Sequence, residues 1–280
     1  MRDFLFFSGG TACAILLGAG LLHLIPKLGS AGRRASDWLC RAPGLDLLIT
    51  YFTVAPLIVG PVLVGWRGLG AAIVGQVIGM LLWQWMHELA NRDAIRGPRI
   101  VKVINARVGR VRNHAAMWTT AIVTPLFWVV RLAEIFVYRP LTWLVDLPKY
   151  DSGDWVNVSR HKFAGLVGHD MIWCLYCDWM TGVWSLATEM LRNVESFWCP
   201  IRFCSDKKCA NCRHDFPDVV TDWVDACGTM AEVTALLEEK YPPQQHPRAW
   251  FGHPVRITVR GKTAEALGNV ERDEAVAGTR

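Results

Sequence analysis

Three apolar runs, residues 4–25, 45–66 and 70–87, constrain this chain more than any other feature of its sequence. A helix crosses a bilayer in about 20 mostly apolar residues, and a water-soluble core would have difficulty burying three such runs from one chain of 280 residues. The first run ends at Pro26. It is long for a signal peptide, Asp3 offsets Arg2, and no clear small-x-small cleavage site follows it. The second run has Asp46 at its edge and Pro56 and Pro61 inside, which neighbouring helices accommodate in lipid. A short turn, Arg67 to Leu69, leads into the third, with Trp66, Trp83 and Trp85 near the interfaces and Gly75 and Gly79 at small-xxx-small spacing. His87 and Glu88 close that run and read as an interface anchor. A fourth run, 115–138, carries Arg131 and Glu134 three residues apart. Such a pair neutralises itself on one helical face, so the segment either spans or lies at the interface.

A hydrophobic fraction of 52% against 20% charged residues excludes a disordered or fibrous chain. The net charge of +5 matters less than where the bases fall. Lys27, Arg33, Arg34 and Arg41 share one inter-segment loop, and Arg92, Arg96, Arg99, Lys102, Arg107, Arg110 and Arg112 share another. Both loops read as cytoplasmic retention signals that meet anionic headgroups, which places the N-terminus and Arg67 on the opposite side. Nucleic acid is not expected as a partner, because residues 98–113 contain no aromatic side chain to stack a base.

A fifth helical segment, 163–193, carries a polar stripe. Asp170, Cys174, Cys177, Thr181, Ser185, Thr188, Arg192 and Glu195 recur at steps of three or four. The helix either lines a polar site or lies on the membrane surface. Its candidate catalytic residues are His169, Asp170, Cys174 and Cys177. The last two form a C-x2-C pair one turn apart, a geometry usable for thiol exchange or metal ligation.

Four of the nine cysteines, Cys199, Cys204, Cys209 and Cys212, fall at spacing C-x4-C-x4-C-x2-C. Four thiolates from so short a loop can close a tetrahedral zinc site or hold an iron–sulfur cluster, with His214 and Cys227 as reserve ligands. Few apolar residues lie between Cys199 and His214, so a metal rather than burial is expected to order the loop. Thiolate ligands favour a reducing, cytoplasmic placement for this lobe.

The sequence thus predicts a mainly α, polytopic α-helical membrane protein of roughly three to five spans, with a small Cys-rich C-terminal α+β lobe. Its expected organisation is a transmembrane helical domain (1–140), an interfacial or fifth membrane helix (141–197), a Cys-rich metal-binding lobe (198–261) and a disordered tail (262–280). Within the lobe, 230–240 reads as a short helix and 250–259 as a strand. The expected location is a plasma membrane of the bacterial inner-membrane type. The leading functional expectation is a membrane-anchored redox or electron-transfer component with a zinc or iron–sulfur centre and a protein partner. One alternative is a scaffold or assembly subunit whose zinc lobe docks another protein. The other is a membrane enzyme acting on a lipid-soluble substrate through Asp170, His169 or Glu189. Whether the chain is an enzyme stays open. Phosphate-loop, dinucleotide and G-x-S-x-G motifs are absent, so nucleotide-driven and serine-hydrolase chemistry have no support.

Overall fold

The computed structural model describes residues 1–145, 147–205, 207, 208, 219, 222–241, 258, 259, 262 and 263, and these are mainly helical. Helix α1 (Arg2–Leu24) runs into one 3-10 turn, Ile25–Lys27, where Pro26 ends the α-helical hydrogen bonding. Then come α2 (Gly29–Leu39), α3 (Gly44–Phe52), α4 (Val54–Val64) and α5 (Arg67–Ala90). Among the described residues, three segments are long and apolar enough to cross a membrane: Arg2–Lys27, Arg67–Ala90 and Arg110–Leu144.

The second apolar run is not the straight span its composition suggests. It is broken between α3 and α4, with a bend of 46°. Pro56 has no N–H to return to the Phe52 carbonyl, so the helical ladder is interrupted there. The freed carbonyls find a partner on α5: Gln76 Nε2 donates to Phe52 O at 2.9 Å and to Thr53 O at 2.7 Å. Satisfaction of this kind is what makes a broken helix tolerable in an apolar environment. The expected turn at Arg67 to Leu69 is helical. The chain reverses one step earlier, at Gly65, whose φ of +71° suits glycine.

Small residues bring these helices together. Ser8, Thr11, Ala12 and Ile15 of α1 are buried, as are Gly68, Ala71, Ala72, Gly75 and Gly79 of α5. A Cβ on Gly75 would sit 2.5 Å from Ser8 O and 2.6 Å from the Thr11 Cβ, so only glycine permits this approach. Gly60 of α4 and Gly68 of α5 touch backbone to backbone in the same way. The Tyr51 hydroxyl of α3 ties in by donating to Ala14 O at 2.6 Å.

Beyond α5 lie α6 (Arg92–Arg96), α7 (Ile100–Val108), α8 (Arg110–Ala121), α9 (Thr124–Ala133), a π-helical turn (Glu134–Tyr138), α10 (Arg139–Leu144) and α11 (Ser152–Trp155). Arg131 and Glu134 pair with each other and are each only 2% exposed, the self-neutralised arrangement their spacing suggests. The long helix α12 (Gly168–Trp198) begins five residues later than the sequence pattern proposes and is not among the segments apolar enough to cross. Its polar stripe does not form one buried face. Asp170 is buried, whereas Cys177 and Thr181 are exposed, and the buried line follows Trp179, Val183, Leu186, Glu189, Asn193 and Ser196.

The chain divides into two compact units, Met1–Thr124 with Ser152–Gly182, and Pro125–Asp151 with Val183–Arg280. Inside the second, the buried Asn193 amide donates to the hydroxyls of Tyr138 at 3.0 Å and Tyr150 at 2.5 Å. Val219 and Trp223 form an apolar cluster with Phe203, Leu236 and Tyr241. The short helix α13 (Met230–Lys240) is present and starts with a capping box between Thr229 and Glu232. The α+β lobe is not supported. Among the described residues, strand is confined to Thr258–Val259 against Lys262–Thr263 and two isolated bridges, which is too little to present a face for helices to cover. Most of 250–259 and of the tail beyond it lies outside the described residues.

Two outcomes follow from this packing. The protein should stay in the membrane pellet after carbonate or high-salt washing and be released only by detergent. Gly75→Val should destabilise the detergent-solubilised protein by about 1–3 kcal/mol, because α1 and α5 must separate. Gly9→Ala, where a Cβ meets nothing within 4 Å, should leave the unfolding midpoint unchanged.

Candidate functional site

The start of α12 is where the charged groups of the first unit converge. Gly168 has φ +53°, and a Cβ there would collide with the Glu88 side chain. Glycine therefore lets the helix N-terminus close over Glu88, and the helix end in turn favours a carboxylate. Glu88 Oε1 accepts the His169 N–H at 3.1 Å, and His87 Nδ1 accepts the Gly168 N–H at 3.1 Å. The His87 ring stacks on Trp83 and His23, with centroids 4.7 and 5.4 Å away.

Arg99, just before α7, is the cation of this junction. Its Nη2 donates to Glu88 Oε1 at 2.8 Å, and its Nε donates to Asp170 Oδ2 at 3.3 Å. The other Asp170 oxygen accepts the Val101 N–H at 3.1 Å, and His169 Nδ1 lies 3.5 Å from it. Side-chain exposure is 6% for Arg99 and 7% for Asp170. Burial on its own would raise the Asp170 carboxyl. The His169 ring, the Arg99 charge and the Val101 N–H outweigh it and hold the group below the ordinary aspartate value. Burial would likewise lower Arg99, but its two carboxylates keep it above the usual arginine value and charged.

Beside the junction is a cavity of about 270 Å³. Met80, Leu81, Trp118, Ile172 and Trp173 form its apolar wall, and Gln84, Arg110, His114 and His169 supply its polar atoms. His114 meets His169 edge to face at 5.0 Å, and Trp118 meets Trp173 in the same manner at 5.8 Å. The Tyr176 hydroxyl secures α12 to α8 by donating to Thr120 O at 2.9 Å. The lining offers one guanidinium and two imidazoles beside an apolar wall. Such a site can hold the anionic head of an amphiphile.

The four candidates on the fifth helix have different surroundings. His169 and Asp170 are buried at the junction, and His169 also lines the cavity. Cys174 is half-buried and Cys177 exposed, and the Arg160 charge acts on both thiols. Burial pushes the Cys174 thiol up despite Arg160, which disfavours the thiolate that exchange chemistry needs. Cys40 Sγ and His161 Nε2 come within 3.9 Å of each other.

Of the expected Cys₄ ligands, Cys199 and Cys204 are exposed free thiols, as is the reserve Cys227. Cys209, Cys212 and the reserve His214 lie outside the described residues. Among the described residues, no group of three or more His, Cys, Asp or Glu side chains is gathered closely enough to hold a metal. The loop also has an apolar anchor that its composition hid, since Phe203 packs on the Val219–Trp223 cluster.

Glu88, Arg99, Gln84, Arg110 and His114 escape a reading from sequence. Glu88 and His87 look like an interface anchor, and nothing in the basic loop separates Arg99 from its neighbours except a burial that only the fold reveals. No family model matches the chain, and no curated protein or solved structure matches it.

Replacing Arg99 with Ala leaves two carboxylates facing each other without a cation and should cost about 3–5 kcal/mol of stability. Asp170→Asn should cost less at neutral pH and flatten the acid limb of the stability curve. The depressed Asp170 value contributes stability that is present above the ordinary aspartate range and is lost as pH falls through the folded-state value. Thermal unfolding of the solubilised protein across the acid range reads both outcomes.

Proposed function

We propose that this chain is an integral membrane protein whose first unit binds the anionic head of a lipid-soluble molecule in the cavity between α5, α8 and α12. The observation that carries this reading is the cavity's two-part lining: a recess of Met80, Leu81, Ile172 and two tryptophans, with Arg110, His114 and His169 as its polar groups. The guanidinium supplies a charge and a fork of donors that suit a phosphate or carboxylate. Each imidazole supplies a ring N–H donor. A volume of about 270 Å³ suits a headgroup and the first carbons of its chain rather than a whole lipid. Cavity-lining residues belong to two segments long enough to cross a membrane, Arg67–Ala90 and Arg110–Leu144, so a ligand could enter sideways from the bilayer. Asp170 Oδ1 lies 3.5 Å from His169 Nδ1 and helps to orient the ring, with Nε2 the nitrogen that does not face this carboxylate. That is the environment of a binding histidine and also of a general base, so an enzyme acting on the bound molecule fits the same site.

A second reading keeps the redox component. It rests on the Cys174 and Cys177 pair near Arg160 and on the sequence spacing of Cys199, Cys204, Cys209 and Cys212, four thiols that would hold zinc or an iron–sulfur cluster. Brown visible absorption in purified, never-chelated protein would mark the cluster. Colourless protein with stoichiometric zinc would favour the scaffold with a structural metal lobe.

Calorimetric titration of the solubilised protein with a short-chain phosphatidate tests the binding reading. Arg110→Gln should weaken binding about tenfold or more, the loss expected when one charge-assisted hydrogen bond of about 1.5 kcal/mol is removed. Equal affinity in the variant, or equal affinity of the natural chain for a short-chain phosphatidylcholine, would overturn it.

A further inference from the structure

We infer that α7 is a surface helix that seats on an anionic bilayer leaflet. At the helical period Val103, Arg107, Ile100, Ile104 and Val108 adjoin one another along one side of the helix. The four apolar members are 56%, 57%, 39% and 48% exposed for Val103, Ile100, Ile104 and Val108, so the first unit does not cover this side. The flank beside Val108 faces protein. The Val101 N–H is held by Asp170, and Asn105 Oδ1 accepts from Asn113 Nδ2 of α8 at 2.8 Å.

What covers the exposed side is set by where α7 is tethered. One candidate span ends at Ala90 and another starts at Arg110, so α7 lies on the short link between two membrane segments. Gly109, at φ +90°, turns α7 directly into α8, and Arg99 clamps its other end to Glu88 and Asp170. A helix fastened at both ends to spanning segments stays at the bilayer boundary.

The charge around it fits one kind of surface. Arg92, Arg96, Lys102, Arg107 and Arg112 are exposed, and Asp93 is the one acidic residue between Asn91 and Asn113. Apolar side chains entering the headgroup boundary, with flanking bases on anionic lipid, are the usual composition of an interfacial helix. Arg107, set among the apolar residues, has a stem long enough to bring its charge back to the headgroups. This surface is separate from the cavity beside His114, and the test leaves Arg110 unchanged.

The experiment is hydrogen exchange of residues 100–108 in the full chain, reconstituted into nanodiscs of phosphatidylcholine alone or mixed with phosphatidylglycerol. Exchange should be slower in the mixed discs than in the neutral ones, and added salt should shrink the difference. Arg107→Gln should remove roughly fivefold of that protection. Exchange within 168–182 should stay as in the unsubstituted chain, reporting that the junction is intact. Equal exchange in both kinds of disc would overturn the inference. So would protection that appears in detergent and rises with protein concentration, which would instead place a second copy of the chain on this side.

Discussion

The first unit depends on a single guanidinium taken out of water. Arg99 bridges Glu88, on the last turns of α5, and Asp170, on the first turn of α12, and its neighbour Val101 returns an N–H to the same aspartate. Residues far apart in sequence are thereby fixed at one end of the helix group. Desolvating three charged groups is expensive, and mutual attraction offsets the cost only where the remaining lone pairs are also satisfied. The His169 N–H on Glu88 and the Val101 N–H on Asp170 do that. The cavity depends on this arrangement. His169, Ile172 and Trp173 follow directly from the α12 start that Arg99 holds in place, and Arg110, His114 and Trp118 follow from the α7–α8 segment hung from the same residue.

A different force assembles the apolar part. Lipid tails are as apolar as leucine, so helices that leave water gain little from burying hydrocarbon and rely on close van der Waals approach and internal hydrogen bonds. The α1–α5 contact shows the first, through Ser8 and Thr11 against Gly75. The α3–α4 break shows the second, where the Gln76 amide takes up two backbone carbonyls next to Pro56. Exposed Leu, Ile, Val and Trp side chains along α1, α4 and α5 fit such a group of helices, whose large residues face outward while the small ones make the contacts.

Legibility from sequence follows the same division. The candidate spans Arg2–Lys27 and Arg67–Ala90 and the Arg131–Glu134 pair are legible because length, apolarity and the i,i+3 spacing are local properties, whereas the sequence leaves 115–138 open between spanning and interfacial. The break at Thr53 was half legible. Pro56 and Pro61 announced a disturbed helix, but whether it bends depends on a partner 20 or more residues away, Gln76. Asp170 stands out in the sequence because a carboxylate on an aromatic helix must be paired or solvated, and the structure buries it beside His169. The rest of the stripe that includes Asp170 differs in burial along its length, because helical periodicity fixes which residues align and not which side the fold covers. Arg99 could not be found at all. Its identity, spacing and surroundings match those of the other loop bases, and its role rests on a contact with Asp170, 71 positions later.

The basic loop between α5 and α8 therefore holds two electrostatic regimes that composition cannot separate. Arg92, Arg96, Lys102 and Arg107 are exposed, so their fields are cut by salt within about 8 Å at physiological ionic strength. Arg99 is 9% exposed and faces its carboxylates directly, so salt reaches the interaction poorly and geometry dominates. The Arg96–Asp93 pair, 3.6 Å apart and almost wholly in solvent, belongs to the first regime and adds little to stability. Raising ionic strength should thus loosen how the loop meets anionic surfaces while leaving the junction, and with it the cavity wall formed by α12, in place. On the proposed seating of α7, the hold on a leaflet would change without disturbing the site that the same loop helps to frame.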